Sequence, residues 1–179
     1  MQDKLILTPA RFEDHATIYA IFEAMLPQYQ EIMPGSFEAN LENLRRIQAK
    51  GMDFSATGLT GYMIQTTQST VGFTAVGPLN GRQAYLSAFY LLPQYQRQGL
   101  GTHALQELER HYARLHFQEM LLLVHREASW ARTFYQKMGY KTLAEHTLSI
   151  VQYAGQGIAH LIEPGLILMG HSLKGKSAR

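Results

Sequence analysis

Residues 91–102 read Leu-Leu-Pro-Gln-Tyr-Gln-Arg-Gln-Gly-Leu-Gly-Thr. An apolar run ends at Pro93, a short polar loop follows, and a helical pattern opens on Gly99 and Gly101. The first N–H groups of a helix have no partner within it and attract anions. Two residues without a Cβ let the backbone approach such an anion closely. Arg97 supplies a cation, and Gln96 and Gln98 supply amide donors. The chemistry that fits is the capture of a phosphate-bearing ligand. Gly-x-Gly alone suits a tight strand-to-helix turn equally well, so the weight falls on its neighbours. No Gly-Lys-Ser/Thr ending marks a Walker-type loop, and Ala104 stands where a dinucleotide fingerprint has its third glycine. A helix end contributes only about 0.3–1 kcal/mol per charge, so tight binding needs several N–H groups together with Arg97.

The elements that must position this loop follow from periodicity and breakers. Residues 5–7 and 84–92 read as strands, the second long enough to cross a sheet centre. Residues 61–67 and 70–76 alternate around Gln68-Ser69 as a hairpin. Residues 10–26 have helical spacing, with Ile18, Phe22 and Met25 on one face, until Pro27 and Pro34-Gly35 break it. A second helix spans residues 37–50 and stops at Gly51. Residues 100–116 form the clearest helix, with Leu105, Leu108, Tyr112 and Leu115 in one stripe. Residues 120–124 read as a buried strand. Residues 129–138 read as a helix with Trp130, Phe134 and Met138 inward, stopped by Gly139. Residues 142–153 and 166–173 read as further strands. The order predicts an α/β (α+β) fold, a mixed sheet with helices against it.

The totals bound the answer. A chain of 179 residues suits one domain, 1–173, with 174–179 as a loose tail. Hydrophobic content of 46% and charged content of 17% fit a globular protein rather than a disordered one. A net charge of +2 does not by itself indicate nucleic-acid binding. With no cysteine, disulfides and thiol chemistry are excluded. No apolar stretch approaches the roughly 20 residues that span a bilayer. The start, Met-Gln-Asp-Lys, carries no signal-peptide pattern, which predicts a cytoplasmic location and no membrane partner. His103, His111 and His116 lie eight and five apart, without metal-ligand spacing.

Gln96-Arg97-Gln98-Gly99-Leu100-Gly101 resembles the (Gln/Arg)-x-x-Gly-x-(Gly/Ala) motif of the GNAT superfamily, the GCN5-related N-acetyltransferases. Residues 131–140, Ala-Arg-Thr-Phe-Tyr-Gln-Lys-Met-Gly-Tyr, resemble that family's Ala-x-x-(Phe/Leu)-Tyr-x-Lys-x-Gly-(Phe/Tyr) helix. The likeness is specific over residues 84–140. It implies a mostly antiparallel sheet with two central strands splayed apart, those ending near Leu92 and His125. It implies that Gln96, Arg97, Gln98, Gly99, Leu100, Gly101 and Thr102 cradle the acetyl-CoA pyrophosphate, and that backbone at Leu91 and Leu92 pairs with the pantetheine arm. Phe134 would pack beside the arm and Lys137 would reach a phosphate. Late strands in this family form dimer contacts, so a homodimer is among the implied partners. Two departures stand out. Ala128 occupies a place where the family often has Asn, and Leu123 one where acetylators of protein N-termini often carry Glu.

Acetyl transfer needs a neutral amine. A primary amine with a pKa of about 10.4 is only about 0.1% neutral near pH 7.4, and making it neutral costs about 4 kcal/mol. The departing thiolate then needs a proton, and a well-placed acid or base is worth roughly 10²- to 10⁴-fold. By resemblance Tyr135 is the acid. The base candidates are His125, at the end of an apolar strand and of a type suited to proton uptake near neutrality, and Glu31, near the break after the first helix. Glu23, flanking the same break, and Tyr90, on the central strand, are further candidates, and Phe22, Tyr29, Met33 and Phe37 are candidates for an acceptor pocket. With 14 acidic residues the chain offers little carboxylate for a polyamine, which points to a small acceptor with one amine. The sequence reading is thus an acetyl-CoA-dependent N-acetyltransferase acting on a small-molecule amine, with acetyl-CoA as cosubstrate and no metal or nucleic acid. Its rival is a non-catalytic acyl-CoA-binding module on the same fold. A nucleotide-phosphate enzyme lacks magnesium-binding carboxylates near the loop.

Overall fold

The structure is a computed structural model that describes residues 5–33, 39, 42, 45, 46 and 58–175. Seven strands form one sheet in the order β1-β2-β3-β4-β5-β7-β6. They are β1 (Ile6–Pro9), β2 (Thr60–Gln65), β3 (Thr70–Asn80), β4 (Gln83–Leu91), β5 (Glu119–His125), β6 (Lys141–Ala144) and β7 (Leu166–Ser172). Among the elements whose bounds are described, four α-helices accompany them: α1 (His15–Gln30), α2 (Leu100–Arg114), α3 (Ser129–Lys137) and α4 (Thr147–Ala154). The sheet is mixed and mostly antiparallel. Its parallel pair is β4–β5, held by Gln83–Glu119, Ala84–Met120 and Tyr85–Leu121. That ladder ends at Tyr85, although β4 continues to Leu91 and β5 to His125. The remainder of the two strands is unpaired with each other, as expected for splayed strands.

The chain divides into two compact units, with β3, β4 and α2 each passing from one to the other. In the first, α1 buries Ile18, Ile21, Met25 and Leu26. Ile18 and Ile21 pack on Met63, Phe73, Ala75 and Ala88 of the sheet. Leu5, Ile64, Val71, Leu91 and Ala104 form a second cluster under the start of α2. In the second unit Tyr85, Leu121, Ala144, Ile150, Ala154, Ile158 and Leu168 make one core.

Several sequence expectations change. Pro27 does not end α1, which runs on to Gln30. A proline inside a helix costs about 3 kcal/mol; here Met25 and Leu26 are buried just before it, and after it the ring of Tyr29 meets Tyr90 edge-on at 6.5 Å. Residues 142–153 are not one strand. β6 stops at Ala144 and α4 follows, because Ile150 and Ala154, four apart, fall on one helical face that enters the core. The Ser149 hydroxyl accepts the His146 N–H at 3.3 Å and helps to open that helix. Trp130 points outward at 44% exposure, and Leu115 lies exposed just past the end of α2. The helix expected over residues 37–50 lies outside the described residues except for helical positions 39, 42, 45 and 46. Phe37, Pro34-Gly35 and residues 176–179 of the expected tail are also outside them.

Candidate functional site

β4 leads into the glycine loop through a short 3-10 turn, Pro93–Tyr95. The Tyr95 hydroxyl meets the Ser69 hydroxyl at 3.0 Å and so ties the turn to the β2–β3 connection. Arg97 and Gly99 both adopt left-handed backbone, with φ of 59° and 82°. A left-handed residue beside extended or helical neighbours turns successive N–H groups towards a common point, the geometry of an anion nest. The first intrahelical bond of α2 runs from the His103 N–H to the Gly99 carbonyl at 3.1 Å. The N–H groups of Leu100, Gly101 and Thr102 therefore have no partner inside the helix. A Cβ added at Gly99 would find no heavy atom within 4 Å, so the space in front of it is open. These features fit a diphosphate.

Both glutamine side chains make hydrogen bonds near or within the loop. Gln98 Nε2 donates to the Gln94 carbonyl at 2.7 Å, which closes the loop on itself. Gln96 Nε2 donates to the Leu91 carbonyl at 2.9 Å and lies against Met25 Sδ. Both brace the loop; Arg97 remains its exposed cation. The Leu92 N–H donates to the Val71 carbonyl at 2.9 Å, so the peptide groups of Leu91 face the opposite edge of β4. On that edge the β5 ladder has already ended. Gly72, in β3 beside Leu91, permits this packing: a Cβ there would lie 2.2 Å from the Tyr90 carbonyl oxygen. Glu31 caps the C-terminus of α1 and is exposed, while Met33 and Tyr29 are half-buried; burial raises the Tyr29 pKa. Phe22 packs on Phe73 and on Tyr90, with ring centroids 5.9 and 4.9 Å apart.

The second unit carries the remaining candidates. Phe134 and Tyr135 sit half-buried on α3, their rings 5.2 Å apart, and Lys137 is exposed in its last turn. Gly139, at φ 91°, reverses the chain so that the Tyr140 N–H bonds back to the Tyr135 carbonyl at 3.0 Å. His125 is 8% exposed at the end of β5. Its Nδ1 accepts the Glu127 N–H at 3.3 Å, and its Nε2 edge lies against the backbone of Gly165. Ala128, at the N-cap of α3, is fully buried and makes no side-chain cap.

Sequence reading missed Glu109, a fully buried carboxylate on α2. Its signal was present: position 109 falls one residue after Leu108 and three before Tyr112, inside the apolar face. It also missed the neighbours of Tyr135, namely Tyr140 at 5.4 Å and His171 stacked on Tyr140 at 5.2 Å. A cavity of about 380 Å³ opens at the first residues of β4 and β5, lined among others by Arg82, Gln83, Glu119, Tyr153 and Lys174. None of the candidate residues lines it. Among the described residues no cluster of His, Asp or Glu could hold a metal ion, and no helix is long and apolar enough to cross a membrane.

Comparison with solved structures returns the same architecture. An acetyltransferase from Thermus thermophilus superposes with a TM-score of 0.65 at 16% identity, over 94% of this chain and 97% of the other. The PaiA N-acetyltransferase of Thermoplasma acidophilum, solved in complex with coenzyme A, gives 0.65 at 19% identity over 94% and 99%. A chimera of the Vibrio cholerae spermidine N-acetyltransferase gives 0.65 at 15% identity over 98% and 99%. At these identities the likeness establishes the fold. No curated protein matches the chain. The sequence pattern of the Acetyltransferase (GNAT) family, however, matches residues 18–140, a span that holds most of α1, the glycine loop, α2 and all of α3. With its fold, its loop and most of its length in agreement, the chain belongs to the GNAT acetyltransferase family.

Proposed function

We propose that this protein moves an acetyl group from acetyl-CoA to the amine of a small molecule by direct attack in a ternary complex. Family membership supports acyl-CoA-dependent acetyl transfer as the class of reaction. The observation that carries the reading is the left-handed pair Arg97 and Gly99 at the mouth of α2, which leaves the N–H groups of Leu100, Gly101 and Thr102 for a diphosphate. Leu91 ends β4 where its edge is free of β5; its carbonyl is held by Gln96 Nε2, so its N–H is the group that an extended pantetheine arm, running beside Leu91 and Leu92, would bond as an added strand would. Phe134 and Lys137 would complete the contacts to the cosubstrate.

In this mechanism the neutral amine attacks the thioester carbonyl. The C–N bond forms, the C–S bond breaks, Tyr135 gives its phenolic proton to the leaving thiolate, and the proton that the nitrogen sheds on becoming an amide returns through solvent to the Tyr135 phenolate. The chain has no cysteine, so an acetyl-thiol intermediate on the protein is excluded. The amine must lose a proton first. His125 and Glu31 are the candidate acceptors, and we favour Glu31. Its carboxylate is exposed, whereas His125 has already committed Nδ1 to a backbone N–H. The second reading, a non-catalytic acyl-CoA-binding module, draws on Ala128, which offers a cosubstrate no polar side chain.

The two readings separate on release of free thiol from acetyl-CoA across a library of small amines. The enzyme gives release above background with at least one amine; a module gives none with any. For the acid, Tyr135→Phe should bind acetyl-CoA as the parent does and lose at least about tenfold in kcat. Unchanged kcat removes the role.

A further inference from the structure

The cavity of about 380 Å³ at the first residues of β4 and β5 lies wholly within the second unit, and none of the groups in the mechanism above lines it. Its walls come from the end of β3, the turn into β4, the start of β5, α4 and the end of β7. Backbone bonds lock these segments together: the Gln118 N–H donates to the Arg82 carbonyl and the Leu173 N–H to the Gln118 carbonyl, each at 2.8 Å. On this frame the Glu119 carboxylate is held from two sides. Its Oε1 accepts the Tyr153 hydroxyl and its Oε2 the Gln83 amide, both at 2.7 Å, and Gln83 Oε1 in turn accepts from Asn80 Nδ2. A carboxylate has about four acceptor positions, so about half of them remain for a ligand.

The opposite charge on the same walls is unanswered. Among the described residues no ion pair joins Arg82 or Lys174 to Glu119 or to any other carboxylate. Single cations of this kind are common on a protein surface. Here two of them share one cavity with a carboxylate that is fixed in place and only half used. The complement of such walls is a ligand with one anionic end and one cationic end.

We propose that this cavity binds a free amino acid, whose carboxylate takes the N–H groups of Arg82 and Lys174 and whose ammonium donates to Glu119. A guanidinium can grip a carboxylate through two parallel N–H bonds, and the ammonium of Lys174 adds a point charge beside it. The volume falls at the lower end of the roughly 300–1,000 Å³ usual for small-molecule sites, which suits a ligand of this size. Both ends are required. A carboxylate alone would face the charge of Glu119, and an amine alone would face the two cations. The assignment stands whether or not the protein transfers acetyl groups.

Amide NMR of the full labelled chain, titrated with each of the common amino acids, tests the site. At least one amino acid should saturate with a Kd below about 10 mM and move the amides of Arg82, Gln83, Glu119 and Lys174 most. Acetate and methylamine, which carry one end each, should bind at least about tenfold more weakly. Arg82→Gln and Glu119→Gln should each weaken the amino acid at least about tenfold while the spectrum outside the cavity stays as in the parent. Should Glu119→Gln not fold, Arg82→Gln, a change at an exposed turn residue, carries the test alone. No saturable shift of these amides with any amino acid overturns the proposal. Acetate binding as tightly as the amino acid also overturns it, since the cavity is then a simple anion site, and so does parent affinity in Arg82→Gln.

Discussion

Gly72 joins the packing of the sheet to the ligand site, and Gly72→Ala shows by how much. A Cβ at this position would lie 2.2 Å from the Tyr90 carbonyl oxygen, 2.7 Å from Leu91 Cδ2 and 3.2 Å from Leu91 Cα. Carbon and oxygen in close contact stand roughly 3.3 Å apart, so β3 and β4 must part by about 1 Å. The obstacle is backbone, which cannot swing away as a side chain can. The opening strains the Leu92 N–H bond to Val71 (2.9 Å) and the Thr74 hydroxyl bond to the Ala88 carbonyl (2.8 Å). At about 1 kcal/mol for each bond, plus about 1–3 kcal/mol for overpacking, the loss comes to about 3–5 kcal/mol. For a chain of this size that lowers Tm by about 6–20 °C. The displaced residues are Tyr90 and Leu91, so the affinity for coenzyme A should fall about tenfold, or about 1.4 kcal/mol. Thermal unfolding followed by circular dichroism and titration calorimetry with coenzyme A read the two effects. Gly81→Ala is the control: its Cβ meets nothing within 4 Å, and its Tm should stay within about 2 °C of the parent. A Gly72→Ala protein as stable as the parent refutes the reasoning.

Two further outcomes follow from single residues. Gly99→Ala puts a side chain on a residue at φ 82° with open space around it, so stability should drop by only about 1–2 kcal/mol while coenzyme A affinity falls by at least about tenfold; calorimetry showing equal affinity would rule out the loop as the diphosphate cradle. The Tyr153 hydroxyl, which donates to Glu119 at 2.7 Å, has its pKa pushed up to about 12, by burial first and then by that bond and the carboxylate charge. Its contribution to stability is therefore complete below pH 10, the ordinary tyrosine value, and is lost as pH rises towards 12. Glu119→Gln should bring one tyrosine back towards 10 in an absorbance titration at high pH, and an unchanged titration curve would show that Glu119 does not set it.

What could be read from the residues was whatever local chemistry dictates. The loop glycines, the start of α2 and the stop at Gly139 follow from backbone freedom at fixed positions, and they stand where expected. The hairpin of β2 and β3 and the buried β5 follow from alternation and apolar runs. Long-range packing was not legible. Ile150 and Val151 are β-branched and suggest a strand, but the core formed with Tyr85, Leu121 and Leu168 selects a helix there. Pro27 suggests a break, but the helix runs on to Gln30, with Tyr29 beside Tyr90 from far along the chain. Gln96 and Gln98 suggest ligand donors, and only the fold shows that their amides hold the Leu91 and Gln94 carbonyls. Glu109 lay in plain view on an apolar face, but its complete burial is set by the packing of the fold and not by its own segment.

The central claim is that main-chain N–H groups at the start of α2 hold the diphosphate of acetyl-CoA. Amide NMR of the labelled protein titrated with coenzyme A tests it most directly. The account predicts that the largest shifts fall on Leu100, Gly101 and Thr102, with Leu91 following on β4. Saturable binding that leaves these four amides in place would contradict it.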